Sequence, residues 1–246
     1  MTPVLPQRKA IIVGASSGLG AELAKQLCEA GWQVAGVARR RERLTALEDQ
    51  YPGKFFAIEF DVRNLEKTEG TFSRSVEAVN GLDLIVYAAG IMPEVALTEF
   101  GTEKDLAMIE VNLSAAVAWL NLAADRFQQM RSGTIVGIGS VAGDRGRMGQ
   151  PVYNTTKAAL ATYLEALRNR LAPFGVNVLT IKPGPMKTEM TAHLNIPNAT
   201  PPELAASRII ALLHRNGEFY VEPLHRLIFG IIKLIPSPIF RGLKLQ

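Results

Sequence analysis

The chain has 246 residues and a mass of 26.8 kDa, with 48% apolar and 20% charged residues and a mean hydropathy of +0.11. That balance excludes a disordered chain and suits a well-packed unit that buries about three quarters of its unfolded surface. The formal charge of +4 invites an anionic partner, yet residues 225–246 hold Arg226, Lys233, Arg241 and Lys244 and no acid, so residues 1–224 are neutral. With 7% aromatic residues and no basic stripe on the body, nucleic acid is not the expected partner. The single cysteine, Cys28, excludes an intrachain disulfide; with no charged-then-apolar leader, the expected setting is a reducing cytoplasm.

Short apolar runs alternate with helical patterns, the mark of βα units on a parallel sheet. Strands are expected over 9–13, 32–38, 55–60, 82–88, 133–138, 176–182 and 218–222. Helices are expected over 18–30, 42–50, 65–79, 102–130, 152–171 and 202–215. Since no linker, repeat or low-complexity stretch divides them, the expected class is α/β. It is a Rossmann-like doubly wound parallel sheet of about seven strands flanked by helices, a single domain over 1–224 followed by a basic apolar extension over 225–246. In such sheets ligands bind beyond the carboxyl ends of the strands, here past Val13, Ala88 and Ile138.

The first strand runs into Gly14-Ala15-Ser16-Ser17-Gly18-Leu19-Gly20 and then a helix. Glycines here permit a tight turn and let the backbone approach a pyrophosphate, whose charge the helix N-terminus meets. A ligand-free strand-to-helix turn is the competing reading. The second strand ends Ala38-Arg39-Arg40-Arg41, with no acid to take an unphosphorylated ribose. Guanidinium groups suit a 2′-phosphate, which favours NADP(H) held by Arg39 with Arg40 in support. The alternative is a solvated cluster at a helix start, to which Arg41 and Arg43 belong.

Ser140 follows the fifth strand, and thirteen residues later Tyr153 precedes Lys157 by four, so the two share one helix face. A nearby ammonium favours the phenolate; bringing a phenol from about 10 to near 7 takes about 4 kcal/mol of differential stabilisation. Such a tyrosine serves as a general acid or base. An ordinary solvated helix face is the competing reading of the pair. His193, His214 and His225 are too scattered for a metal site.

Taken together, these residues resemble the classical short-chain dehydrogenase/reductase family over nearly the whole chain. The motifs run in order as Gly14 to Gly20, Asp61-Val62, Ala88-Ala89-Gly90, Asn112-Leu113, Ser140, Tyr153 with Lys157, and Pro183-Gly184 followed by Thr188. The resemblance implies that Tyr153 transfers the hydroxyl proton and Ser140 holds the substrate oxygen. It implies that Lys157 lowers the tyrosine pKa and binds the nicotinamide ribose, and that Asn112 holds a water linking Lys157 to solvent. The turn Gly14, Ser16, Ser17, Gly18, Leu19 and Gly20 would take the pyrophosphate side. Asp61 and Val62 would meet the adenine, and Pro183, Gly184, Met186 and Thr188 the nicotinamide side. Two positions depart from the family pattern, which usually has threonine at Val13 and asparagine at Tyr87; an apolar contact is expected to replace a polar one there.

The function expected on these grounds is NADP(H)-dependent carbonyl and alcohol interconversion on a small apolar molecule. The alternative is a cofactor-binding scaffold or redox sensor without turnover. Residues 186–202 form the expected lid, and Arg145 and Arg147 read either as a solvated loop or as contacts to an acidic substrate. Helices rich in Ala and Leu over 102–130 and 152–171 suggest a homodimer or homotetramer. The extension, with an almost continuous apolar run over 227–235, reads either as a peripheral membrane contact or as a segment packed on the body, on a neighbouring subunit or over the substrate pocket.

Overall fold

In the computed structural model, which describes residues 7–194 and 196–243, seven strands form one parallel sheet: β1 (Lys9–Val13), β2 (Gln33–Ala38), β3 (Phe55–Glu59), β4 (Leu84–Tyr87), β5 (Thr134–Ile138), β6 (Asn177–Lys182) and β7 (Gly217–Tyr220). Their spatial order is β3-β2-β1-β4-β5-β6-β7, so the winding reverses between β1 and β4. Both faces are covered by helices, which is why the strands read as unbroken apolar runs rather than as alternating ones. On one face Ile11, Ile85 and Ile135 pack with Trp119, Phe127 and Leu164; on the other Ile12, Val86 and Leu179 pack with Leu23, Leu44 and Ile209. The first layer draws on α3 (Thr68–Ala78), α5 (Ala115–Met130) and α6 (Pro151–Leu171), the second on α1 (Gly18–Glu29), α2 (Arg41–Gln50) and α7 (Pro202–Ile210).

Two expected helices differ in detail. The run 102–130 is α4 (Thr102–Ile109), one turn of π-helix over Glu110–Ser114, and then α5. The final helix of the body stops at Ile210 instead of 215.

The extension is helical. Proline is favoured in a first helical turn, where no N–H is needed, and Pro223 opens α8 (Pro223–Leu234), so this helix runs straight across residues 224 and 225. Pro236 separates it from α9 (Ser237–Gly242); Lys244 lies outside the described residues. Arg145, expected as solvated or substrate-facing, instead holds the extension. Its guanidinium donates to the Lys233 and Ile235 carbonyls at 3.1 and 2.9 Å and stacks 4.8 Å from the Phe240 ring centroid. These are carbonyls at the end of α8, where a helix lacks internal donors and favours a cation.

Beside it, the Asp144 side chain is buried between Lys182 Nζ at 2.6 Å, Lys233 Nζ at 2.8 Å and the Tyr220 hydroxyl at 2.8 Å. Burial alone would push this carboxyl up, but the two ammonium groups and the phenol together hold it below the ordinary carboxylate range.

Candidate functional site

The carboxyl ends of β1, β4 and β5 open into one cleft of about 860 Å3, the size of a cofactor and small-ligand pocket. Gly14 turns the chain out of β1 at φ +96°, and a Cβ there would stand 2.5 Å from the Ala89 nitrogen. A Cβ on Gly20 would stand 2.1 Å from the Gly14 carbonyl oxygen. Only glycine lets α1 start this close to the sheet. Ser16, Ser17, Gly18 and Leu19 complete the turn on the cleft wall, and Thr188 reaches across to Gly18.

Arg39, Arg40, Asp61 and Val62 line the adjoining end of the cleft. Arg40 lies on the turn, donating to Ser16 Oγ at 3.0 Å and to Ser17 Oγ, while Glu189, on the segment after β6, pairs with it at 3.0 Å. Arg39 instead faces Asp61 at 3.9 Å. Thus Arg40, expected only in support, makes the closer contact with the glycine turn. Arg43 belongs to the same group through Glu189, at 2.6 Å. The Asp61 carboxylate accepts from the Arg63 guanidinium and backbone, and chiefly for that reason its pKa lies below the ordinary value.

At the other end stand Ser140, Tyr153 and Lys157. Ser140 caps a short turn, its hydroxyl accepting from the Ala142 N–H at 3.0 Å, and the neighbouring Val141 N–H bonds the Pro183 carbonyl. The loops after β5 and β6 are thereby joined. One turn apart on α6, Tyr153 and Lys157 point to the same side; Lys157 Nζ stands 5.7 Å from the Tyr153 ring centroid and donates to the Ile138 carbonyl at 2.9 Å. Burial pulls the Lys157 ammonium down to about 8. Burial also raises the Tyr153 phenol, offset in part by its hydrogen bond with Ser140 and by the charge of Arg147. The sequence expectation that Lys157 lowers this phenol is therefore corrected for the protein alone, because desolvation prevails and the compensating groups are Ser140 and Arg147.

Asn112 is buried behind this wall, within the π-turn. Its side chain bridges the backbone of Ile91, accepting from the N–H at 2.8 Å and donating to the carbonyl at 2.9 Å, and also donates to Thr156 Oγ1 at 3.3 Å. Gly90 is the neighbour that admits it, since a Cβ there would lie 3.4 Å from Asn112 Oδ1 and 3.6 Å from Lys157 Nζ. Val13 and Tyr87 are paired across β1 and β4. Contrary to expectation, Tyr87 brings a polar contact, its hydroxyl donating to the Val111 carbonyl of the π-turn at 2.6 Å.

Ala88, Ala89, Pro183, Gly184, Met186 and Thr188 also line the cleft, so every residue given a catalytic or cofactor-binding role from the sequence does so apart from the buried Asn112. Of the two readings of Arg147, the solvated loop and the substrate contact, its place on the cleft wall fits the second; sequence reasoning missed His225 and Phe229, which α8 carries into the same cleft. His225 rests on Gly184, where a Cβ would lie 2.2 Å from its ring. The spacing of four between His225 and Phe229, which puts both on one helix face, is the signal that could have found them. No group of three or more potential metal ligands occurs among the described residues.

Residues 8–199 match the family model of the short chain dehydrogenases. The chain is 35% identical over 193 residues to an uncharacterized oxidoreductase of Myxococcus xanthus, covering 77% of this chain and 76% of the relative. Its fold is similar to that of a short-chain dehydrogenase from Streptomyces avermitilis, with TM-score 0.85, 24% identity and 97% of both chains covered. It is also similar to a short chain dehydrogenase from Burkholderia cenocepacia in complex with NADP, with TM-score 0.84, 23% identity and 98% of both chains covered.

Proposed function

Because the chain belongs to the short-chain dehydrogenase family, we propose that it is an NADP(H)-dependent oxidoreductase interconverting carbonyl and alcohol groups, in the direction of carbonyl reduction on an apolar substrate. The observation that carries this reading is the meeting of Ser140, Tyr153 and Lys157 with the glycine turn in one cleft.

The residues present fit the cofactor. Gly14 and Gly20, where a Cβ would strike Ala89 and the Gly14 carbonyl, let the turn close tightly enough to bring Ser16, Ser17 and Gly18 to the cleft wall at the start of α1, where free N–H groups suit a pyrophosphate. Arg39 and Arg40 would take the 2′-phosphate, Asp61 and Val62 the adenine, and Ala88, Ala89 and Gly90 with Lys157 the ribose next to the nicotinamide. Pro183, Gly184, Met186 and Thr188 would flank the nicotinamide itself. The two arginines and the NADP held by the Burkholderia relative support the phosphorylated cofactor. When bound, NADP(H) supplies the hydride.

The chain supplies the proton and the orientation. Ser140 holds the carbonyl oxygen by a hydrogen bond, and Tyr153 donates its phenolic proton to the same atom. Burial keeps that phenol protonated at neutral pH, which is the form a reduction needs. Negative charge then gathers on the Tyr153 oxygen, where the Ser140 hydroxyl and the charge of Arg147 offset it. With a pKa of about 8, Lys157 is mostly charged at neutral pH and exchanges a proton readily. Asn112 would hold the water that connects it to solvent. The presence of all four groups supports turnover over a silent cofactor-binding scaffold. Met186, Met190, Leu194 and Ile196 on the cleft wall support an apolar substrate.

Replacing Tyr153 by Phe should lower turnover by about a thousandfold and leave NADPH binding nearly intact. A carbonyl panel scored by NADPH oxidation checks this, and turnover unchanged with any substrate rejects the role. The assembly proposed is a homodimer or homotetramer through α4, α5 and α6; a monomeric sedimentation profile at micromolar concentration rejects it.

A further inference from the structure

The most unusual surface of the molecule is the outer side of the C-terminal extension. Leu224, Leu227, Ile231 and Leu234 recur at intervals of three, four and three residues, which places them on one side of α8. All four are between 56% and 84% exposed. Ile239 and Leu243 extend the apolar surface through α9 and beyond, at 60% and 49% exposure. Soluble proteins rarely leave so much contiguous apolar side chain in water without a partner. The opposite side of α8 is engaged, with His225 and Phe229 in the cleft and Lys233 on Asp144. The helix is therefore held on the body with its apolar stripe outward.

Charge decides what covers that stripe. Residues 223–246 carry no acid, and Arg226 and Arg241 are exposed. A second copy docked by this patch about a two-fold axis would bring like charges together, because such an interface opposes each surface to itself. A bilayer with anionic headgroups meets both features at once, taking the leucines into its upper layer and the guanidinium groups at the phosphates. Length excludes spanning, since twelve helical residues reach about 18 Å against about 30 Å of hydrocarbon. The 29-residue run Thr102–Met130 is long and apolar enough, but it is engaged elsewhere, with Trp119 and Phe127 in the core and Asn112 behind the cleft.

We propose that α8 and α9 form a docking surface for an anionic lipid bilayer, on which the protein lies peripherally with one wall of its cleft set against the membrane. This goes beyond the hydride-transfer reading and does not depend on it, because docking is measured without cofactor or turnover. The test is co-sedimentation of the full chain with vesicles of phosphatidylcholine containing phosphatidylglycerol, and with phosphatidylcholine alone. The full chain should pellet with the anionic vesicles. The triple variant Leu227→Gln, Ile231→Gln, Leu234→Gln should lose at least about tenfold in partitioning with an unchanged melting temperature. The pair Arg226→Gln, Arg241→Gln should weaken binding to the anionic vesicles only. The proposal is overturned if the full chain stays in the supernatant or if the triple variant binds as well as the original. It is equally overturned if the triple variant turns a vesicle-indifferent dimer into a monomer, which would give the stripe to a second copy.

Discussion

Replacing Tyr87 by Phe removes one oxygen from the protein and tests how Asn112 is presented. Tyr87 ends β4 with its ring fully buried, and its hydroxyl donates to the Val111 carbonyl at 2.6 Å, one residue before Asn112. Burial holds this phenol well above its ordinary pKa, so it remains a donor at every working pH. A π-turn departs from the regular i to i−4 ladder and persists where outside contacts support it. Phenylalanine fills the same space, so no cavity term enters. The loss is that of a donor to a buried carbonyl, about 2 kcal/mol, or about 4–8 °C in melting temperature for a chain of this size. Because Asn112 is fixed on its far side by Ile91 and Thr156, release of Val111 should shift it without unfolding the helix. Turnover should then fall while the KM for NADPH stays put. A double-mutant cycle with Asn112→Ala should show coupling above about 0.5 kcal/mol. If the variant melts with the original and the two substitutions add independently, Tyr87 is a filler of the core and the reasoning fails.

Alanine at Arg39, or at Arg40, should raise the KM for NADPH by about tenfold or more and leave that for NADH little changed, in line with loss of a charge-assisted phosphate contact; equal effects on both cofactors would remove the arginines from phosphate recognition. Lys157, pulled down to about 8 by burial, binds its proton more weakly folded than unfolded, so stability should rise as pH climbs from 8 to 9. Above 9 the buried Cys28 thiol, pushed up to about 12, works in the opposite sense because the unfolded chain ionises first. Melting curves of Lys157→Met should lack the rise, and a rise that persists would assign it to another group. Changing Asp144 to Asn leaves Glu218 as the remaining carboxylate for Lys182, at 2.8 Å, and removes the charge that Lys233 meets at 2.8 Å; it should destabilise by about 2 kcal/mol, with protease cleavage appearing near Pro236, and an unaltered melt and digest would mean that the network does not hold the extension.

What was legible in the sequence, and what was not, follows from the range of the interactions involved. Gly14 and Gly20 speak through local geometry, and Tyr153 with Lys157 through a spacing of one helical turn, so both emerge from a few neighbouring letters. The strands are visible because a sheet covered on both faces demands unbroken apolar runs. The π-turn at Glu110–Ser114 leaves no such mark, since its composition continues the helical pattern on either side. Arg145 looks like a solvated loop residue because its partners, the Lys233 and Ile235 carbonyls, lie about ninety positions away and are backbone atoms without residue identity. The balance at Tyr153 is hidden from the sequence for a different reason. Spacing reports that an ammonium is near, but the penalty of burial depends on the whole wall of the cleft, and here that penalty is the larger effect.

The extension shows how a charge can be misread when only its count is known. Its cations divide into two kinds once placed in the fold: Lys233, itself partly exposed, pairs with the buried Asp144 carboxylate, while Arg226 and Arg241 face solvent. Since α8 has no fully buried residue, apolar burial alone contributes little to holding it on the body. The attachment rests instead on the buried carboxylate of Asp144, four positions after Ser140, and on Arg145 at the helix end. The Asp144 carboxylate is buried and Arg145 bonds neutral carbonyls, so salt screens these contacts less than exposed guanidinium groups on anionic headgroups, and the extension should stay on the body while salt weakens vesicle binding. Acid acts differently. A carboxyl held below its ordinary range lends stability above about pH 4, where the unfolded chain is ionised too, and withdraws it as pH falls through the folded value. The same segment is thus fixed to the loop after β5 by contacts that salt weakens little and, in the docking proposed, held on the bilayer in part by exposed cations whose share salt removes, so a salt titration separates the two.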